Sequence, residues 1–400
     1  MTGSDGQWII RSGPGTLAAA AALVGGAAPH AVLIVGPAGV GKMTLADDLA
    51  AGLLCLAPDP ADRPCRHCRG CRLVAGGNHP DLHRLGPEGP GGQVLIGDSG
   101  RPAGRGVRNL VAELAYLPVE GGRRVAVVEH AERMNEDAQN ALLKTLEEPP
   151  PRTTIILCAD EEDRLLPTVR SRCVRLRLAP LGVRGIEDLL VERGVADAPT
   201  AARLARLAGG RPGLAIAYAR LPEAMTIHDE IARTLLDLVE ASTAARLVAG
   251  RELIERAAAL EAVLRPMVVP VKAAVRLPRG ASRAAAAAAP ADEAESGTDQ
   301  PAAGKRSPAE RRRAVLGLVE IWRELALDLA IAGLGGRHEL RDPALLEELV
   351  ATAAQVQPGA ISTFLGRLDH IAELVEGNTG PELAIDVLVL AWPRAAAVAA

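Results

Sequence analysis

The chain has 400 residues. At about 150 residues per domain that makes two or three domains, each with enough chain to bury a core. It is 48% hydrophobic and 24% charged, a balance that excludes a wholly disordered polymer. The 45 Lys and Arg against 49 Asp and Glu leave a net charge of −4, without the basic excess of a protein that grips duplex DNA alone.

Three Trp, two Tyr and one Phe are too few for a β-sandwich core or a stacking platform for single strands. Met1–Gly6 is polar and small rather than a charged-then-apolar leader. The strongest apolar runs, Leu17–Val24 and Ala384–Trp392, fall short of the ~20 residues that span a bilayer, so a cytoplasmic location is expected.

Ala31–Val35 (AVLIV) is a continuous apolar run of strand length, ended by Gly36, and a helical pattern follows from about Lys42 to about Cys55. Val125–Val128 is the next strand. A helix from about Glu136 to Glu147 comes after it, with Asn135 as N-cap, acidic residues in its first turn and a stop at Pro149, Pro150 and Pro151. Thr153–Cys158 reads as a third buried strand, and Val174–Leu178 alternates as a half-exposed one. Strands separated by helices imply a parallel α/β sheet with its ligand at the strands' carboxyl ends.

After Pro180 the strand signal ends. Short helices punctuated by Gly194, Gly209, Gly210 and Gly213 fill 183–220, and from about 226 the pattern is helical to the end. Arg279 to about Arg311, with Ala284–Ala289 and then Pro, Asp, Glu, Ser, Gly and Gln, has almost nothing bulky to bury. It reads as a disordered linker, with a helical poly-alanine extension as the competing reading.

Gly36-Pro37-Ala38-Gly39-Val40-Gly41-Lys42 lies between the first strand and its helix. Glycines let backbone N–H groups turn toward phosphates, the helix N-terminus adds positive potential, and the lysine reaches the β and γ oxygens. Gly36, Gly39, Gly41, Lys42 and Thr44 are therefore the candidate ATP- or ADP-binding residues; an ordinary glycine-rich turn is the plainer alternative. The hydroxyl that would hold Mg²⁺ belongs directly after the lysine, where Met43 stands. Thr44 is rotated from that position by roughly 100°, so a well-built Mg²⁺ site is not expected.

In nucleotide hydrolases of this kind an apolar strand ends in Asp-Glu, one carboxylate holding Mg²⁺ and the other orienting water. Here Val125–Val128 is followed by Glu129-His130: one side chain is a methylene too long, the other is no carboxylate. Two defects at separate stations predict nucleotide binding with weak or absent hydrolysis.

Cys55, Cys65, Cys68 and Cys71 supply four thiols, the number a structural Zn²⁺ takes, and no large apolar residue between Leu56 and Leu73 could hold that excursion by packing. Arg63, Arg66, Arg69 and Arg72 favour the thiolates. Free thiols or an iron–sulfur cluster are the alternatives, and four thiols make the nearby His67, His79 and His83 unnecessary as ligands.

The segment Asn140–Pro150 (NALLKTLEEPP), followed by Ser171-Arg172-Cys173, closely resembles the clamp-loader subunits of bacterial DNA polymerase III. The phosphate loop, the four cysteines and His79-Pro80-Asp81 fit the same pattern, and together these motifs cover residues 30–180. The resemblance implies an AAA+-like α/β nucleotide-binding domain over 1–180 with a zinc module inserted at about 55–85. A helical lid over 181–222 and an all-α collar over 223–400, interrupted by the linker at about 279–311, would follow.

In that family the gamma/tau motor subunits keep Ser or Thr after the lysine and an Asp-Glu strand end, whereas the delta-prime branch has lost them and keeps Ser-Arg-Cys. Met43 and Glu129-His130 place this chain with the second branch. Arg211 agrees, lying out of register with the family's second-sensor arginine, which should fall near Gly213. The resemblance further implies that Arg172 acts in trans as an arginine finger on ATP held by a neighbouring motor subunit. An intrachain salt bridge is the plainer role for that residue. The implied partners are the gamma/tau and delta subunits, the sliding clamp and primed DNA. A self-sufficient AAA+ ATPase, such as the motor subunit itself, is the rival from the enzyme class.

Leu142, Leu143 and Leu146 fall on one helical face and should be core, with Lys144, Glu147 and Glu148 outward.

Overall fold

The computed structural model describes residues 8–26, 28–87, 93–97, 106–120, 122–268, 308–376 and 380–395. Five strands, β1 (Ala31–Val35), β2 (Leu82–Leu85), β3 (Arg124–Val128), β4 (Thr153–Ala159) and β5 (Val174–Arg177), form one parallel sheet in the order β2-β3-β4-β1-β5. The three central strands are buried and, after Arg124 of β3 and Thr153 and Thr154 of β4, apolar, because both of their faces are covered. Val32, Ile34, Val125, Val127, Ile156 and Cys158 point into one core, and Ala31, Leu33, Ala126, Val128, Ile155 and Leu157 into the other.

The first core is closed by α1 (Pro14–Gly25), α2 (Lys42–Leu53) and α3 (Arg69–Ala75) through Ala20, Val24, Leu45, Leu49 and Val74. Helices α4 (Val107–Leu114), α5 (Glu136–Glu147) and α6 (Pro167–Arg170) close the second through Leu110, Leu114, Leu142, Leu146 and Val169. As expected, Asn135 caps α5, its side-chain oxygen accepting the Ala138 N–H at 2.9 Å.

Five elements of this half, α1, α3, β2, α4 and α6, carry no clear signal in the sequence. The alanines of α1 give it helix propensity without a polar face, α4 has only a short apolar stripe, and β2 is an edge strand reading Leu-His-Arg-Leu. Because β2 belongs to the sheet, the excursion after α2 rejoins the main fold at Leu82, inside the expected 55–85 span.

Beyond Pro180 the described chain is helical: α7 (Val183–Glu192), α8 (Ala198–Leu207), α9 (Pro212–Arg220), α10 (Pro222–Asp237), α11 (Thr243–Val268), α12 (Pro308–Gly333), α13 (Leu346–Gln355), α14 (Pro358–Glu376) and α15 (Pro381–Ala391). Their apolar side chains form one continuous core running from Ile186 to Trp392. Arg203 on α8 fastens the region further by gripping Asp229 of α10 and Asp342, at 2.8 and 2.9 Å. Of the expected 279–311 linker, residues up to 307 lie outside the described residues, and the far end is already helical because α12 begins at Pro308.

Trp322, Phe364 and Trp392 pack as one cluster with ring centroids 4.7 to 5.6 Å apart. Trp8 and Tyr218 are buried as well, which leaves only Tyr116 of the six aromatic rings on the surface and no stacked platform among the described residues. No helix among them is long and apolar enough to cross a membrane.

Candidate functional site: a phosphate loop and a four-cysteine module

The loop from Gly36 to Lys42 leaves the carboxyl end of β1 and enters α2, so β1 aims it at the N-terminus of that helix. Gly39 and Gly41 have φ of 79° and 101°, a left-handed backbone that glycine adopts without steric cost. Both are pressed from outside. A Cβ on Gly41 would lie 2.7 Å from Ile10 Cδ1, and one on Gly39 would lie 3.1 Å from the Arg211 stem.

Lys42 is 8% exposed. Its Nζ donates to the carbonyl oxygens of Gly36 and Pro37 at 2.7 Å each, and it is ion-paired with Asp160 just past β4. The ammonium that would meet phosphate is thus held by the protein itself. Met43 packs partly buried against the core beneath α2, and Thr44 is half-buried behind Gly41.

The end of β3 carries no Asp-Glu pair. Glu129 lies over Gly86, its Oε2 3.2 Å from where a Cβ there would be. His130 takes a left-handed φ of 52°, uncommon for a side-chain-bearing residue. Its Nδ1 lies 3.0 Å from Glu132 Oε1 and 3.8 Å from Asp160 Oδ2. Burial would raise the Glu132 carboxyl, but hydrogen bonds from His130 and from the backbone N–H groups of Glu132 and Asp160 outweigh it and hold the group below the usual range. The ligand atoms of His130, Glu132 and Asp160 fall within 4.8 Å of one another, and the adjoining positive charge is Lys42.

Arg211, at the N-cap of α9, is more involved than its register suggests. Its methylene stem lines Gly39, while its guanidinium turns away to Glu324 at 2.9 Å and to the Ala208 carbonyl oxygen at 2.9 Å. Neither Asp160 nor Ile10 is marked by a motif, and both touch the loop or its lysine.

The four sulfurs of Cys55, Cys65, Cys68 and Cys71 lie within 4.8 Å of one another, with Cys55 and Cys68 3.9 Å apart. A tetrahedral Zn²⁺ with bonds of ~2.3 Å needs sulfurs about 3.8 Å apart. Backbone N–H groups already point at the sulfurs: Leu56 and Cys71 at Cys68 Sγ, Ala57 and Cys65 at Cys55 Sγ, and Cys68 at Cys65 Sγ, all at 3.4 to 3.5 Å. Donors aimed at sulfur favour thiolates, the form a metal takes. The donor set therefore fits zinc.

His79 stands apart from this cluster. Its buried Nδ1 accepts the Asp81 N–H at 3.1 Å, and the Asp81 carboxylate takes the Val119 and Glu120 N–H groups at 2.7 and 2.9 Å. This motif is a brace between β2 and the loop before β3.

Arg172 follows α6 on the turn into β5, away from the phosphate loop. Its guanidinium pairs with Glu147 at 2.7 Å and donates to the Thr168 carbonyl oxygen at 2.9 Å, with the side chain 34% exposed. Leu142 and Leu146 are buried, Leu143 partly so, and Lys144, Glu147 and Glu148 face outward as expected.

A five-stranded parallel sheet with a glycine-rich loop between β1 and the lysine that opens α2 defines a P-loop α/β protein. Residues 19–182 match the family described as "DNA polymerase III, delta subunit". The chain is 40% identical over 185 residues to the DNA polymerase III delta-prime subunit of Pseudomonas aeruginosa, covering 46% of this chain and 53% of that one. It is 39% identical over 188 residues to the delta-prime subunit of Escherichia coli, covering 47% and 54%. Against the Escherichia coli tau subunit the identity is 34% over 186 residues, covering 45% of this chain and 27% of tau. Over residues 19–182, then, the chain is similar to DNA polymerase III delta-prime subunits. The chain spans about half the length of the delta-prime relatives it matches.

Proposed function

We propose that this protein is a delta-prime-type subunit of a replicative clamp loader. It binds ATP or ADP, hydrolyses it weakly or not at all, and helps to load a sliding clamp onto primed DNA beside gamma/tau and delta subunits. The observation that carries this is the pairing of a formed phosphate loop with a missing hydrolytic end on β3. Lys42 and its glycines are in place, while Glu129 and His130 stand where Asp and Glu would hold metal and water.

In this reading the sheet and its helices are the AAA+-like domain, with the helices from 183 to 220 as a lid and those beyond as a collar. Arg172 is the group offered to a neighbour's ATP: a half-exposed, permanently charged fork at a turn, held by Glu147, the Thr168 carbonyl oxygen and the Ser171 hydroxyl. Cys55, Cys65, Cys68 and Cys71 hold a structural Zn²⁺, which when bound ties the chain after α2 to the start of α3.

Multiple-turnover ATPase of the isolated protein tests the first part. Brisk turnover lost in Lys42→Ala would assign the chain to the self-sufficient motor class instead. Arg172→Ala in a loader reconstituted with its partner subunits tests the second. Clamp- and DNA-stimulated ATPase should fall by well over tenfold, given the ~10³–10⁵ an arginine finger can contribute. Unchanged stimulation would end the assignment.

A further inference from the structure

Asp48 lies on α2, the helix opened by Lys42, and is fully buried. Its Oδ2 accepts the backbone N–H groups of Ile9 and Ile10 at 2.8 Å each, and its Oδ1 accepts a hydrogen from the Arg66 guanidinium. Arg66 sits between Cys65 and Cys68 with φ of 63°. Glycine would hold that turn without steric cost; an arginine there incurs strain. Its side chain leaves the cysteine module and ends on a carboxylate of the nucleotide-loop helix. At the other end Ile10, 4% exposed, presses its Cδ1 to within 2.7 Å of where a Cβ on Gly41 would stand. A continuous path thus joins the cysteines to the phosphate loop: Arg66, Asp48, the Ile9–Ile10 backbone, the Ile10 side chain, Gly41.

We propose that the cysteine module sets the shape of the nucleotide loop through this strut, with Arg66 and Asp48 as positioning residues, so that an assembled four-cysteine cluster is a condition for tight phosphate binding. The inference rests on the zinc and nucleotide readings above. With the cluster assembled, Cys65 and Cys68 hold the turn that aims Arg66. When it opens, the turn relaxes toward negative φ and the guanidinium withdraws. Asp48 then keeps a buried charge with only two N–H donors, a costly state relieved by admitting water or a proton. Either outcome loosens Ile9 and Ile10, and with them the apolar stop behind Gly41.

The test uses the full chain, with added Zn²⁺ or with chelator and reductant, and reads amide hydrogen exchange together with titration of a fluorescent ADP. Chelation and Arg66→Ala should each speed exchange at Ile9–Ile10 and Gly39–Lys42 by about tenfold, the loss of one hydrogen bond to a charged group. ADP affinity should weaken in parallel. Arg66→Ala should keep its zinc, and Arg66→Lys should restore most of the protection. Adding Asp48→Asn to Arg66→Ala should cost little more than the larger single change, since both break one link. Arg233→Ala, which removes a surface pair with Glu348 in the helical region, should change neither reading.

Exchange within about twofold of the unaltered chain in zinc-loaded Arg66→Ala overturns the strut. So does loss of zinc from that variant, since Arg66 would then serve the cluster rather than the loop. Should the unaltered chain bind no ADP or no zinc, that reading fails by itself, and the exchange of Arg66→Ala still decides the strut.

Discussion

Replacing Asp160 by asparagine should tighten nucleotide binding. In the free chain the Lys42 ammonium is satisfied by two carbonyl oxygens at 2.7 Å and by the Asp160 carboxylate, so an incoming phosphate has to displace that carboxylate. At about 3 Å and an effective dielectric constant near 20 the gross attraction is ~5 kcal/mol. Desolvation cancels much of it. With the side chains 8% and 24% exposed, a net of ~1–2 kcal/mol remains for the phosphate to overcome. Asparagine keeps the size and a hydrogen-bond acceptor but removes both the competing charge and its repulsion of phosphate. The dissociation constant for ADP should therefore fall about tenfold. Isothermal titration at fixed ionic strength measures it, with Lys42→Ala as the variant that loses binding. Unchanged or weaker binding in Asp160→Asn refutes the reasoning and makes Asp160 a group that serves the nucleotide.

Three further outcomes follow from other parts of the molecule. Arg246 is fully buried with no carboxylate among its acceptors, donating to the carbonyl oxygens of Val389, Trp392 and Pro393 at 3.1, 2.6 and 3.0 Å and to those of Ala241 and Val239. Arg246→Met strands those carbonyls at a cost of about 3–5 kcal/mol, which should lower the melting temperature of the helical region by about ten degrees; a shift under about two degrees would contradict this. Burial would raise the Cys68 thiol, but the N–H groups of Leu56 and Cys71 and the neighbouring Cys65 and Cys71 thiols bring it down to about 6, whereas burial pushes Cys71 far up. In metal-free protein the Cys68 thiolate exists above about 6 and is lost below it, so iodoacetamide should label Cys68 first, at a rate that falls as pH drops through about 6. Mass spectrometry across pH reads this, and Cys71 reacting first would contradict it. Glu147→Gln should free Arg172; the pair is half-exposed and solvent-screened, so stimulated ATPase of an assembled loader should change by no more than about fivefold.

The parts of the fold legible in the sequence are those whose physics is local. β1, β3 and β4 are buried on both faces and so read as apolar runs, broken only by Arg124, Thr153 and Thr154 at the strand starts, and α5 is bounded by a capping asparagine and a run of prolines. β2 is not legible because its side chains are spent on charge: His83 meets Glu113 and Arg84 meets Asp47, so an edge strand reads as polar loop. The same division holds at the site. Glycine and cysteine spacings announce Lys42 and the four thiols, because the chemistry needs those residue types close together in the chain. Asp160, Arg211 and Ile10 bear no such mark, since each reaches the loop across the fold, and Asp48 acts on it only through the Ile9–Ile10 backbone.

These unmarked residues change what the marked ones mean. A glycine-rich loop and a lysine are compatible with an active motor, and nothing in the motif says whether its lysine is free. In the folded chain Asp160 holds that lysine, Arg211 lines Gly39 while its charge goes to Glu324, and Ile10 backs Gly41 from a segment pinned by Asp48. Each contact favours one shape of the loop in the absence of ligand, and each has to be kept or displaced when phosphate arrives. A motor must pass repeatedly between such states, whereas a subunit that only presents a wall and an arginine to its neighbour gains by staying in one. The same contacts that restrain the loop therefore support the stationary role proposed above, by an argument separate from the substitutions at Met43, Glu129 and His130.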